Sequence, residues 1–188
     1  MSGWRHPDAT VMENIEDWVA IARMAEVAKI SLLFLADGVG SNLETAHIGC
    51  QLPHSTVTSS FEPITLLSAL ANATTRIGLA ATASSTYTEP YNLTRQFASL
   101  DHISQGRAAW NTVTTHQNLA AENFSQTART NHDDRYGQAE EYVDIVRGLW
   151  DSWDDVAFIY DRPSGRSLIL KRYTLLTTLE VTIAFADR

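Results

Sequence analysis

The residues best placed to do chemistry stand at the ends of apolar runs. Asp37 closes the run Ile30 to Ala36 and opens the polar turn Asp37-Gly-Val-Gly40. A carboxylate there is either a site residue or a cap for the backbone amides that follow. Thr82 to Thr86 ends a second run, and Thr114 to His116 ends a third. His116 lies just past a strand end, where a neutral imidazole can donate to a ligand or move a proton. A structural loop histidine is the competing reading. His132-Asp-Asp-Arg-Tyr136 stands at a helix start, with His132 and Tyr136 four apart and so on one helical face. Free amides and the positive dipole end at such a place suit an anion such as a phosphate. Asp133 and Asp134 as simple helix-start acids are the alternative there.

Other chemistries find little support. The six histidines (His6, His47, His54, His102, His116 and His132) show no His-x-His or His-Glu-x-x-His spacing, so no metal site is read. His47, His54 and His102 read as surface or loop residues. The single cysteine, Cys50, can form no internal disulfide and has no base near it in sequence. There is no nucleophile elbow, Walker sequence or Gly-x-Gly-x-x-Gly, and Gly38-Val-Gly40 is too short to make a nucleotide loop.

The elements that must position these residues alternate. Thr10-Val-Met-Glu13 fits a capping box, followed by Ile15, Trp18, Val19, Ala22 and Ala25 at helical spacing to about residue 28. Ile30 to Ala36 reads as a strand buried on both faces. Residues 41–61 are polar and without period, which marks a functional or mobile loop. Glu62-Pro63 opens a helix over Ile64 to about Thr74. Arg76 to Ser84 reads as a second strand, Pro90 to about Gly106 as a helix, and Ala108 to Thr115 as a third strand. A polar loop over 116–131 leads to a helix from Asp133 to Trp150, with Ala139, Tyr142, Val143, Val146 and Leu149 as its apolar stripe. Strict alternation with buried strands implies right-handed βαβ units, a parallel sheet, and a site at the C-terminal strand ends.

Composition narrows the function. The 188 residues are 44% hydrophobic and 19% charged, which is ordinary for one globular domain. The net charge of −8 disfavours binding to a phosphate backbone, so no nucleic-acid partner is expected. The longest apolar stretch, Leu32 to Ala36, is far too short to span a bilayer, and Met1 to Pro7 lacks a signal-peptide core. A cytoplasmic protein without a membrane partner is the expectation.

Seven segments then combine in order. They are Trp4-Arg-His-Pro7, Phe34-Leu-Ala-Asp37, Glu62 to Ala69, Ser85 to Tyr91, Leu100 to Arg107, Ala109 to Thr114 and His132 to Tyr136. Together they resemble the bacterial luciferase-like flavin monooxygenases, in the branch of the nitrilotriacetate, dibenzothiophene-sulfone and long-chain alkane monooxygenases. The resemblance covers about residues 3–165. It implies an α/β fold, namely part of a (β/α)8 TIM barrel with about three parallel strands and four helices. It also implies reduced FMN supplied by a separate flavin reductase, and oxygenation of a small organic substrate with O2. By position, Asp37, Thr82, Asn111, Thr114, His132 and Tyr136 resemble flavin contacts. His6 and His116 resemble the histidines on the substrate and reactive side. Family members often dimerise through the helices that here span about 62–74 and 90–104.

Two departures accompany the resemblance. The family normally has a strand before Trp-Arg-His-Pro, and the tail from Ser167 to Arg188 does not follow the family pattern. The expectation is a barrel portion over 1–166, truncated at both ends, with a non-family tail over 167–188. The alternatives are a non-catalytic remnant or partner of an intact paralogue, and a flavin- or deazaflavin-dependent oxidoreductase that does not oxygenate.

Overall fold

The computed structural model describes residues 14–40, 61–115, 120–125, 132–154, 156–169 and 171, with the backbone alone over 132–134. The expected alternation is present. Helix α1 (Ile15–Val27) precedes strand β1 (Leu32–Leu35). Helix α2 (Pro63–Ala73), strand β2 (Gly78–Ser84), helix α3 (Pro90–Ser104) and strand β3 (Ala108–Val113) follow. Then come a short helix α4 (Ala120–Asn123), the long helix α5 (His132–Trp150), and a pair of strands, β4 (Phe158–Asp161) and β5 (Arg166–Leu168). Strands β1, β2 and β3 form a parallel sheet in that order, with Leu33 opposite Leu79 and Thr82 opposite Asn111. The second pair is antiparallel, with Phe158 opposite Leu168, so residues on both sides of position 166 share one hairpin.

Local signals explain the helix starts. Asn14 is extended and its side chain accepts from Glu16 N–H, so it caps α1; Thr10 to Glu13, where a capping box was expected, lie outside the described residues. Glu62 accepts from the amides of Ile64 and Thr65 at 2.9 and 2.7 Å, and Pro63 fills the first helical position, where no amide donor is needed. Helix α3 likewise begins on Pro90. It ends where Gln105 and Gly106 turn into the left-handed region, at φ 60° and 83°.

The pleat sorts the sheet into two faces. Leu33, Leu35, Leu79, Ala81, Ala83, Ala108 and Trp110 pack on the helices, against Leu66, Leu67, Leu70, Leu93, Phe97, Tyr142 and Val146. Trp110 centres this layer. Its ring lies 6.1 Å from Phe97, 6.0 Å from Tyr142 and 6.3 Å from Trp150, and its Nε1 donates to the Ala83 carbonyl. The other face carries Leu32, Phe34, Ala80, Thr82, Ser84, Ala109 and Asn111.

The reading of β1 as buried on both faces is corrected here. Leu32 is 46% exposed and Phe34 is 50% exposed. Among the described residues, strand β1 pairs only with β2 and stands at the edge of the sheet, leaving the face that Leu32 and Phe34 share open. A continuous apolar run cannot tell a strand buried on both faces from one with a single covered face.

Two side chains lock the N-terminal strand ends. Glu26 of α1 accepts from the amides of Thr75, Arg76 and Ile77, three successive donors leading into β2. These bonds hold its carboxyl at about 2, well below the usual range. Arg107, ahead of β3, donates to the carbonyls of Ala71, Thr74, Ile77 and Ser104 and to the Thr74 hydroxyl. It thereby satisfies the carbonyls left open at the ends of α2 and α3.

Candidate functional site

The C-terminal ends of the three parallel strands converge on one recess. Its walls are Asp37, Gly38 and Val39 after β1, Thr82, Ala83 and Ser84 of β2, and Val113, Thr114 and Thr115 at the end of β3. Its volume is about 90 Å³. Through Val113 and Thr114 it adjoins a wider groove of about 720 Å³, whose wall includes Ser85, Tyr136, Ala139 and Glu140.

Of the residues expected in the site, Asp37, Thr82 and Thr114 line the recess itself. Asn111 lies beside them. Its Nδ2 donates to Thr82 Oγ1 at 3.0 Å, which leaves the Thr82 hydroxyl hydrogen free to donate elsewhere. Asp37 is half-buried, and burial pushes its carboxyl upward. The amide of Gly38 opposes that shift, and the charge of Glu62 adds to it. Tyr136 is on the wall of the wider groove, so Thr114, which touches both cavities, is the link between the two sets. His132 opens α5, four residues before Tyr136. His6 and His116, the histidines expected on the reactive side, lie outside the described residues.

Two features that sequence reasoning passed over shape the recess. The turn after β1 is pressed onto α4, a helix of four residues within the expected loop 116–131. A Cβ on Gly40 would come within 2.6 Å of the Ala120 backbone nitrogen, so Gly40 allows a backbone approach rather than cradling a nucleotide. Asn123 Nδ2 donates to the Val39 carbonyl across the same contact. The second feature is Arg135. It is 5% exposed, and its Nη1 donates to the Thr115 carbonyl at 2.5 Å. An arginine inside the His132 to Tyr136 segment was the visible signal, but nothing in the sequence said which way it turned.

This donor set fits one edge of a flavin ring. A carboxylate and a carboxamide are present to accept, and hydroxyls and backbone amides to donate. The recess has room for an edge and not for a whole cofactor, while the adjoining groove has the volume for the remainder. Tyr136, Ala139, Glu140 and Val143 of α5 form one wall of that groove. Among the described residues no helix is long and apolar enough to cross a membrane.

Known proteins match this geometry and sequence. Residues 1–165 match the family described as luciferase-like monooxygenase. N-acetyl-S-(2-succino)cysteine monooxygenase of Bacillus subtilis is 47% identical over 88% of the chain and 36% of its own length. Nitrilotriacetate monooxygenase component A of Aminobacter aminovorans is 41% identical over 87% of the chain and 38% of its own length. A riboflavin lyase crystallised with modified FMN and riboflavin superposes with a TM-score of 0.81 at 32% identity, over 91% of the chain and 39% of its own. The chain thus spans under two fifths of the length of these relatives. The solved relatives are (β/α)8 barrels, and the three described parallel strands form part of such a sheet without closing it. By sequence, fold and the position of its polar strand ends, the chain belongs to the luciferase-like monooxygenase family.

Proposed function

We propose that the chain supplies the N-terminal portion of an FMN-dependent, two-component monooxygenase. In this reading it acts in the cytoplasm on a small organic substrate, with reduced FMN delivered by a separate flavin reductase. The observation that carries the proposal is the recess where Asp37, Thr82 and Thr114 meet at the C-terminal ends of three parallel strands. Relatives named as monooxygenases, one of them a component A, and a relative crystallised with modified FMN support it. FMN, bound in reduced form, supplies the electrons that take one atom of O2 to water while the other enters the substrate.

The chain's own residues do the rest. Asp37 accepts from a ring N–H, and its raised pKa lets it hold a proton at higher pH than an exposed carboxyl. Asn111 orients the Thr82 hydroxyl, so that its hydrogen points toward a ring acceptor. Tyr136 and His132, at the start of α5, hold the phosphate end, where helix-start amides add to the attraction. His116 and His6 act near the substrate, where an imidazole can move a proton.

The test is an anaerobic titration with reduced FMN, paired with coupled turnover, on Asp37→Ala, Tyr136→Phe and His116→Ala. The first two should weaken flavin binding by roughly 5- to 150-fold, the equivalent of one lost polar partner at about 1–3 kcal/mol. His116→Ala should lower turnover, or divert O2 to peroxide, more than it weakens binding. Unchanged affinity in the first two variants, or a His116→Ala defect confined to affinity, overturns this division of roles. Flavin affinity with no O2 consumption in the presence of reductase and substrate would overturn the monooxygenase reading.

A further inference from the structure

The sheet is held at both ends by a buried or half-buried arginine, and the two are treated differently. Arg107, at the N-terminal strand ends, has every nitrogen of its guanidinium matched to carbonyl or hydroxyl oxygens. Arg135, at the C-terminal ends, is more deeply buried; among the described residues its Nη1 donates to the Thr115 carbonyl and its Nε has no partner. Burying a guanidinium is costly. A role confined to stability would be better served by an apolar side chain of the same size.

What Arg135 reaches are the strand exits. The hydroxyl of the same Thr115 lies 2.7 Å from Ser84 Oγ at the end of β2. Ser84 Oγ in turn accepts from the Thr86 amide at 3.1 Å. Alongside this path, the Ser85 amide and hydroxyl both donate to the Val113 carbonyl. The path from α5 through β3 to β2 crosses the floor of the recess, because Ser84, Val113, Thr114 and Thr115 all line it.

We infer that Arg135 is a positioning residue: by holding the Thr115 carbonyl it sets the spacing of the β2 and β3 exits, and so the shape of the flavin-edge recess. The consequence for flavin rests on the function proposed above, whereas the consequence for the strand exits does not. Residues that grip a site without touching its ligand hold it to the few tenths of an ångström that binding requires.

Amide hydrogen exchange on the intact chain tests this. Two amides of β2 and its exit serve as reporters. Thr86 sits at the end of the path, and Leu79, bonded to the Arg107 carbonyl, sits at the opposite end of the strand. Arg135→Met keeps the apolar stem and loses the donors. It should speed exchange at Thr86 by about 10-fold more than at Leu79, and weaken FMN binding by about 10-fold. Arg135→Lys, with one donor in reach of the carbonyl, should return both readouts to within about 3-fold of the parent chain. Exchange rising equally at Thr86 and Leu79, or a lysine variant no better than the methionine one, overturns the inference. If Arg135→Met does not fold, Arg135→Gln takes its place, because the shorter amide loses the bond to the Thr115 carbonyl and keeps a polar head. An unchanged Thr86 rate there overturns the inference too. A shift at Thr86 in the methionine variant, with a parent chain that binds no FMN, would sink the flavin reading and leave the clamp standing. Intact FMN affinity with an unmoved Thr86 would do the reverse.

Discussion

Arg107→Met should cost the fold about 3 kcal/mol, and the structure shows where that figure comes from. Five side-chain bonds disappear: one from Nε to Ser104, two from Nη1 to Thr74 Oγ1 and Ile77, and two from Nη2 to Ala71 and Thr74. At about 1 kcal/mol net each, five bonds give an upper figure of about 5 kcal/mol. Arg107 is only half-buried, so water can reach some of the freed carbonyls at the ends of α2 and α3. The methionine keeps most of the stem's packing. Those two recoveries bring the loss to about 3 kcal/mol. For a chain of this size that corresponds to roughly 6–12 °C in melting temperature. Urea unfolding followed by tryptophan fluorescence reads it directly, since Trp110 lies in the layer the clamp holds. Arg107→Lys should recover less than half of the loss, because an ammonium cannot span carbonyls from α2, α3 and the start of β2 at once. A loss below about 1 kcal/mol, or full recovery by lysine, would refute the reasoning that this fork of donors ties the strand starts together.

Two further outcomes are expected. Gly40→Ala forces the turn after β1 away from the Ala120 backbone, so it should lower the melting temperature and weaken FMN binding together; a variant indistinguishable from the parent in both would contradict the close approach. Glu26 has a depressed pKa, so its contribution is full above the ordinary value of 4.5 and is lost as pH falls through about 2. Glu26→Gln should therefore be less stable than the parent at neutral pH, with the gap closing below pH 4.5. An equal gap at pH 7 and at pH 2 would contradict that linkage.

Much of this arrangement was legible in the residue order, for identifiable reasons. The alternation of apolar runs with 3.6-period stripes fixes three parallel strands, because a parallel pair needs a helical crossover. Asp37, Thr82 and Thr114 could be placed together from that alone, since each follows the apolar part of its strand. The role of Pro63 and Pro90 was equally local, as a proline suits only the first turn of a helix. What escaped depended on distant partners. Glu26 finds the amides of Thr75 to Ile77, Arg107 finds the carbonyls of Ala71 and Ser104, and Arg135 finds Thr115. In sequence each is one more charged residue on a helix or before a strand. Helix α4 has too few residues to show a period. The exposure of Leu32 and Phe34 was hidden because hydrophobicity records what a side chain prefers and not what covers it. Tyr136, expected among the flavin contacts, stands on the neighbouring groove rather than the recess.

The central claim is that the C-terminal strand ends hold the flavin, and a hydrogen-exchange footprint with and without saturating FMN tests it most directly. Protection should appear at Gly38 to Gly40, at Ser84 to Thr86 and at Thr114 to Thr115, with riboflavin protecting the same amides and leaving the first turn of α5 unprotected. Protection at the opposite end, around Thr75 to Ile77 and Gln105 to Arg107, or none at saturation, would contradict it.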